Sequence, residues 1–172
     1  DYFTQIVTYI QQLPQQSAKR ICFLRDPNKD WHMISSFENA IKAGLKDNPI
    51  PLEVINISDS YDVIYEFFLK EFNDSDKWEN TLIIATRDSL AIAINNAAQD
   101  AGKLVPDFVQ TIGIIGTKNS RMARPTISIF DVDYFEIGSI STRMLTKMLN
   151  ETLANNRFNF STQYVKRDST KV

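Results

Sequence analysis

The stretch that decides the fold covers residues 80–115 and reads NTLIIATRDSLAIAINNAAQDAGKLVPDFVQTIGII. Two short apolar runs, at residues 81–85 and 111–115, enclose a longer segment whose apolar residues recur at helical spacing. Near-continuous apolar runs are typical of strands that are buried on both faces of a parallel sheet. The segment between them predicts a helix over residues 88–101 that ends at Gly102. The stretch therefore predicts a strand, a helix and a second strand parallel to the first.

The same alternation of strands and helices extends over the whole chain. Further strands are predicted at residues 21–24, 52–57, 127–130 and 163–165. Further helices are predicted at about residues 2–13, 33–45, 61–72 and 133–153. This order predicts an α/β fold in which a mostly parallel sheet carries helices on both faces. In such a sheet the loops that follow the strands meet at one edge, where ligands bind.

Composition excludes several classes of protein. The 172 residues fit one ordinary globular domain or slightly more, and 19 Lys and Arg against 21 Asp and Glu give a net charge of −2. Without a basic surplus the chain is not expected to hold DNA by itself. One cysteine excludes an internal disulfide, and no apolar run approaches the roughly 18 residues of a membrane span. These two features favour a reducing, soluble compartment, and because the chain opens at Asp1 without a leader, we expect a piece of a longer protein.

The sequence lacks the motifs that common α/β enzymes require. It contains no G-x-S-x-G nucleophile turn, no G-x-x-x-x-G-K-[ST] phosphate loop and no G-x-G-x-x-G fingerprint. His32 could act as a base but is more simply a packing or surface residue, and Cys22 is best explained as a core residue. Asp26, Asp59 and Asp88 could suggest a metal site, yet Asp88 is already explained as a helix cap. We therefore expect no catalysis, no bound metal and no cofactor.

Cations and aromatic residues follow several of the predicted strands. The cations are Arg25, Arg87, Lys118 and Arg121, and the aromatic residues are Trp31 and Tyr61. Guanidinium and ammonium groups at one edge would suit an anionic ligand, and the rings could stack on a sugar-like one. Alternatively, the cations are solvated or paired with nearby aspartates, and the rings cover the core.

Several motifs stand in a fixed order between residues 80 and 170. An apolar strand leads into Arg87 and Asp88, then come a helix ending in Ala-Gly, a Leu-Val-Pro turn, a strand with Ile-Gly, and a closing Val-Lys-Arg-Asp-Ser-Thr. In this order and spacing the chain resembles the Lac/Gal repressor family of bacterial transcription regulators. Residues 2–45 fit the family's first helix, strand and second helix more loosely.

The resemblance implies a piece of a two-lobed, periplasmic-binding-protein-like domain whose first lobe and N-terminal helix-turn-helix are missing. It implies a C-terminal lobe at 1–125, an interlobe strand and helix at 126–153 that normally pack on the first lobe, and a return strand at 154–172. The implied function is the effector-binding and dimerisation region of a cytoplasmic regulator. Its partners would be a small-molecule effector, a second copy, and DNA through the missing domain, with no membrane involved. A solute-binding protein of a sugar uptake system is the alternative with the same fold.

The resemblance also assigns residues to two sites. The effector site would comprise Trp31, Met33, Tyr61, Arg87, Asp88 and Ile115. Met33 stands where relatives usually carry a sugar-binding Arg, Arg87 replaces the usual Asn, and Ile115 replaces an acid. We therefore expect a sugar-like ligand that is anionic or phosphorylated in preference to a neutral sugar.

The dimer surface implied by the resemblance comprises Leu90, Ile92, Ala93, Asn96, Met122 and Ala123. On a helix, Ile92 and Asn96 share a face that is distinct from the face of Leu90. The last long helix carries an apolar stripe, from Phe135 to Leu149, that in relatives packs on the lobe missing here. In an isolated chain this stripe is expected to fold back or to pack on another copy.

Overall fold

The computed structural model describes residues 2–29, 32–150, 157–160 and 162–172. Its helices are α1 (Tyr2–Gln12), α2 (His32–Gly44), α3 (Tyr61–Asp74), α4 (Asp88–Asp100), α5 (Asn119–Met122) and α6 (Tyr134–Leu149). Its strands are β1 (Arg20–Arg25), β2 (Leu52–Asn56), β3 (Thr81–Arg87), β4 (Val109–Ile115), β5 (Ser128–Asp131) and β6 (Gln163–Val165). A single 3₁₀ turn, Gln15–Ser17, joins α1 to β1.

The strands form one sheet in the order β2-β1-β3-β4-β5-β6. Every neighbouring pair is parallel except β5 with β6, where the chain returns antiparallel. The predicted α/β fold with a mostly parallel sheet is therefore confirmed. Because β1 to β5 point the same way, the loops after them lie at one edge of the sheet.

Two hydrophobic cores cover the two faces of the sheet. Leu82 and Ile84 of β3 contribute to the core under α1 and α2, whereas Ile83 and Ala85 contribute to the core under α3 and α4. This alternation follows from the two-residue period of a strand. Because β3 is apolar on both faces, it can occupy the interior of the sheet.

The element boundaries differ from the sequence prediction in a few places. Strand β3 continues two residues further than predicted, to Arg87, and the four-residue helix α5 was not predicted. Strand β5, which the sequence assigned to an interlobe segment, pairs with β4 in the sheet of the lobe. The domain boundaries themselves remain predictions. The predicted end of the last helix at residue 153 lies outside the described residues.

Helix α6 is well formed but packs poorly within the chain. Its cap is the Asp133 side chain, which accepts a hydrogen bond from the Glu136 backbone N–H at 2.9 Å. None of the residues of α6 is buried, and Phe135 and Leu149 are 86% and 77% exposed. Within the described part of the chain, the apolar stripe of α6 is therefore left largely uncovered.

Candidate functional site

Three of the loops that follow parallel strands converge on Asp59. Arg87, the last residue of β3, donates through Nη2 to the Asp59 carboxylate at 2.6 Å and to its carbonyl oxygen at 3.0 Å. Lys29, from the loop after β1, donates through Nζ to the other carboxylate oxygen at 3.4 Å. The Asp59 backbone N–H in turn donates to Asp26 at 2.9 Å. The edge of the sheet is thus assembled around one carboxylate.

A second carboxylate at this end of β1 also binds two cations. Glu38, buried on α2, accepts from Arg25 Nη1 at 3.3 Å and from Lys42 Nζ at 2.5 Å. Asp59 and Glu38 therefore each accept hydrogen bonds from two cationic side chains. With Asp26, which accepts a hydrogen bond from the Asp59 N–H, four cations meet three carboxylates here, which is a surplus of one positive charge among these seven side chains.

Asp26 fixes the loop after β1 against the loop after β2. Its carboxylate accepts hydrogen bonds from the backbone N–H groups of Asp59 and Asn28, each at 2.9 Å. These two donors lower the pKa of the Asp26 carboxyl below its ordinary value. The side chain is thereby kept in its charged form, which can hold both donors.

Asp88 has a structural task that the sequence did not indicate. Its carboxylate accepts two hydrogen bonds from Thr117, from the backbone N–H at 2.6 Å and from the hydroxyl at 2.7 Å. The residue is only 1% exposed. It begins α4, as predicted, but its side chain joins the loop after β4 instead of capping the helix. Because both hydrogen bonds are internal and the residue is buried, we do not retain Asp88 as an effector contact.

The other predicted effector residues differ in their position and burial. Arg87 and Tyr61 lie at the same edge of the sheet, but the Tyr61 hydroxyl accepts a hydrogen bond from Asn96 Nδ2 of α4 at 2.6 Å. The Tyr61 ring is also stacked on Tyr65, with ring centres 6.3 Å apart. Ile115 is half-buried against the core under α1 and α2, and Met33 is exposed at the start of α2. Trp31 lies outside the described residues.

A cavity of about 750 Å³ opens beyond α5, next to the start of α6. Cations and acids line it together, including Lys118, Arg121 and Asp131, while Ile129 contributes an apolar wall. Tyr134 also lines it and donates through its hydroxyl to the Gly116 carbonyl oxygen at 3.2 Å. The cavity therefore joins the loop after β4 to the beginning of the uncovered helix.

Burial separates the predicted dimer residues into two groups. Leu90 and Ala93 are 2% and 0% exposed and belong to the core under α3 and α4, so assigning them to a dimer surface was wrong. Ile92 and Asn96 are half-buried on the outer face of α4. Met122 on α5 is 75% exposed and is followed by the half-buried Ala123. These four are the predicted dimer residues that retain exposed surface in the chain, and the dimer surface stays a prediction.

The described residues contain no cluster of three or more His, Cys, Asp or Glu side chains that could hold a metal ion. Among the same residues, no helix has both the length and the hydrophobicity that crossing a membrane requires. Cys22 is buried, and burial raises the pKa of its thiol to about 12.

The family model described as a periplasmic binding protein-like domain matches residues 10–170. The chain belongs to this family. Proteins with similar sequences include catabolite control protein A of Priestia megaterium, 26% identical over 158 residues or 88% of this chain, and the ribose operon repressor of Halalkalibacterium halodurans, 31% identical over 90 residues or 52% of this chain. The resemblance to bacterial Lac/Gal-type regulators is thereby confirmed.

Solved structures of such regulators share the fold. A LacI family transcriptional regulator from Arthrobacter sp. FB24, in complex with lactose, matches 99% of this chain with a TM-score of 0.82 at 19% identity. The transcription regulator CcpA of Lactococcus lactis matches 99% with a TM-score of 0.80 at 19% identity. The chain spans 64% and 63% of these two structures, and the alignments span 46% of the catabolite control protein and 27% of the ribose repressor.

Sequence reasoning missed several residues that build this edge. Asp59 follows β2 by three residues and was considered as a partner of the strand-end cations, and its ion pair with Arg87 confirms that alternative. Thr117 follows β4 by two residues and gave no sign of its bonds to Asp88. The contact between Tyr61 and Asn96 has no signature in the sequence, because it depends on how α3 packs against α4.

Proposed function

We propose that this chain is the C-terminal lobe of the effector-binding and dimerisation region of a DNA-binding transcription regulator. The observation that carries the proposal is the convergence of Arg87 and Lys29 on Asp59, at the edge where parallel sheets of this class bind ligands. The similarity to transcription regulators over most of the chain supports it. The alternative, a solute-binding protein with the same fold, has no separate observation in its favour.

The proposed mechanism is a shift of population between two arrangements of the lobes. An effector held at the charged edge, between this lobe and the first lobe, would favour one arrangement over the other. The change in lobe arrangement would alter the spacing of the two DNA-binding domains in a dimer. Such a protein would act in the cytoplasm, without chemistry of its own.

The proposed effector is a phosphorylated or otherwise anionic sugar-like molecule. Asp59 and Glu38 are each shared between two cations, so a carboxylate that gives up one cation to an incoming anion keeps the other. Arg87 offers a planar guanidinium, of which Nη2 is committed to Asp59, and such a group binds phosphate oxygens in pairs. A neutral sugar would need the hydrogen-bonding side chains that Met33 and Ile115 do not provide.

Calorimetric titration of the complete protein tests the effector. Glucose 6-phosphate, glucose and inorganic phosphate are compared as ligands, and we expect the phosphorylated sugar to bind most tightly. In Arg87→Asn its affinity should fall about tenfold, which corresponds to roughly 1.4 kcal/mol. Lys19→Gln is the matched control, because Lys19 pairs with Glu79 before β1, at the opposite edge of the sheet. Tight binding of glucose without binding of its phosphate would contradict the proposed ligand class.

The regulator itself is tested by the coding sequence that precedes Asp1. We expect a helix-turn-helix domain and a first lobe there. A secretory leader in that place would instead support the solute-binding alternative. Retarded migration of operator-containing DNA in the presence of the complete protein, relieved or strengthened by the effector, would then establish regulation.

A further inference from the structure

The C-terminal tail holds the α5 segment, residues 117–127, from both sides. Arg167 donates through Nη1 to the Ser120 hydroxyl at 2.9 Å and to the Ile127 carbonyl oxygen at 2.6 Å. Asp168 accepts from the Thr126 hydroxyl at 2.6 Å. One guanidinium nitrogen thus bridges the helix of the segment and its return to β5.

Helix α5 is fixed by a small number of contacts, of which the bonds of Thr117 to Asp88 hold its start and the packing of Ala123 on the core under α3 and α4 holds its end. It contains only four residues, of which Ser120 is buried and Met122 is 75% exposed. A helix this short has almost no hydrogen bonding of its own, so tertiary contacts must set its place. The Ile127 N–H donates to the Ser120 carbonyl oxygen at 2.8 Å, and Arg167 reinforces this closure by donating to the Ser120 hydroxyl and to the Ile127 carbonyl oxygen.

The α5 segment also carries Met122, the most exposed of the predicted dimer residues, and Ala123 follows it. Around Met122 it carries three cations, Lys118, Arg121 and Arg124. The neighbouring outer face of α3 and α4 exposes two acids, Asp62 and Asp100. A two-fold contact brings the same surfaces of two copies together, so the basic segment of one copy can face the acidic helices of the other. This charge pattern favours a second copy as the occupant.

We propose that Arg167 is a positioning residue for self-association, which holds α5 where Met122 and Ala123 meet a second copy. The inference rests on the proposed dimer and adds to it a residue that lies outside the contact surface. Arg167 acts through Ser120 and Ile127, so its loss should weaken the dimer without removing any group that touches the partner.

Sedimentation equilibrium of the complete protein provides the test. We expect the dimer dissociation constant to rise about tenfold in Arg167→Gln. Ser120→Ala removes the same hydrogen bond from the side of α5, together with the bond that the Ser120 hydroxyl donates to the Thr117 carbonyl oxygen, and should shift the constant in the same direction. Thr170→Val is the matched control, since Thr170 bonds to Ser128 and Tyr164 but not to α5. It should lower thermal stability while leaving the dissociation constant unchanged.

A double-mutant cycle separates positioning from general destabilisation. If Arg167 acts through α5, its replacement should have little further effect once Met122→Ser has removed the α5 contact. Additive effects, or an equal loss of association in Thr170→Val, would overturn the inference. Ile92→Lys tests the proposed dimer surface separately from the role of Arg167. If that variant stays dimeric, the dimer surface itself is wrong, whereas a monomeric Ile92→Lys beside a normal Arg167→Gln dimer refutes only the role of Arg167.

Discussion

The hydroxyl of Ser169 donates a hydrogen bond to the carbonyl oxygen of Thr111 across 2.6 Å, although 58 residues separate the two in sequence. The same hydroxyl accepts a hydrogen bond from the Ser128 backbone N–H at 2.9 Å. Ser169 therefore joins β4 and β5 at a point where both residues are buried. The closing Arg-Asp-Ser-Thr run therefore stabilises the sheet, because its serine joins two neighbouring strands.

Removing this hydroxyl should destabilise the fold. In Ser169→Ala the Ser128 N–H loses its acceptor in a buried site, and such an orphaned group costs about 1–3 kcal/mol. Urea denaturation followed by circular dichroism measures the free energy of unfolding. Thr142→Ala is the control, since the Thr142 hydroxyl bonds only to its own exposed helix. Equal free energies of unfolding of the two variants would show that the hydrogen bonds of the Ser169 hydroxyl contribute nothing to stability.

Two glycines offer a matched test of packing at the edge. A Cβ at Gly113 would lie 2.6 Å from the backbone N and Cα of Asp88, whereas a Cβ at Gly138 would have no neighbour within 4 Å. Backbone cannot move aside as a flexible side chain can, so Gly113→Ala should cost about 1–3 kcal/mol. Gly138→Ala lies in α6 and should stabilise by roughly 0.5–1 kcal/mol if α6 unfolds with the rest. Thermal melts of both variants give the comparison.

A stable Gly113→Ala would mean that α4 does not begin where it is placed here. The close approach of β4 to the start of α4 is also what allows Asp88 to reach Thr117. We therefore expect Gly113→Ala to disturb the Asp88 contact, and Thr117→Val to reproduce part of its loss of stability.

The sequence could predict the sheet but not the side-chain contacts at the edge where its strands end. Hydrophobic period alone located β3, because a strand buried on both faces must be apolar throughout. The same period placed Ile92 and Leu90 on different faces of α4, but it did not show that Leu90 is buried. It could not show that Tyr61 would bond to Asn96 or that Asp88 would bond to Thr117. Those contacts join residues that are distant in sequence, and they depend on side-chain directions that a one-dimensional pattern does not contain.

Asp26 should make the stability of the lobe sensitive to acid. Hydrogen bonds from Asp59 and Asn28 lower the pKa of its carboxyl in the folded state. Its contribution is therefore present well above roughly pH 4, where an aspartate of the unfolded chain is ionised, and is lost as the pH falls through the lower folded pKa. In Asp26→Asn this part of the acid dependence should disappear, together with some stability at pH 7.

Urea denaturation at several values of pH between 3 and 7 measures this effect. Asp47→Asn is the control, because Asp47 is exposed and should leave the profile unchanged. If Asp26→Asn keeps the full acid dependence of the parent chain, the two backbone donors do not hold the charged form.

Cys22 should be unreactive until the fold opens. Burial raises the pKa of its thiol to about 12, so almost no thiolate is present near pH 8. We expect iodoacetamide to label Cys22 slowly in buffer and rapidly in urea, with a rate that follows the unfolding transition. Fast labelling of the folded chain would show that β1 is exposed by local opening.

The uncovered face of α6 predicts how the isolated chain behaves at high concentration. Phe135 and Leu149 are largely exposed, and burying such a side chain is worth about 1.5–3 kcal/mol. In the complete regulator we expect the first lobe to cover this face, and in residues 1–172 alone we expect a second copy to cover it. Proteolytic cleavage near Asp131 should then slow as the concentration rises.

Serine at Phe135 and at Leu149 should abolish this protection without unfolding the lobe, because none of the residues of α6 is buried in the chain. Phe23→Ser is the contrasting variant, since Phe23 lies fully inside the core and its loss should expose every site to the protease at any concentration. If cleavage near Asp131 is equally slow at all concentrations, the stripe is covered within one chain. The expectation that a missing lobe normally covers it would then lose its main support.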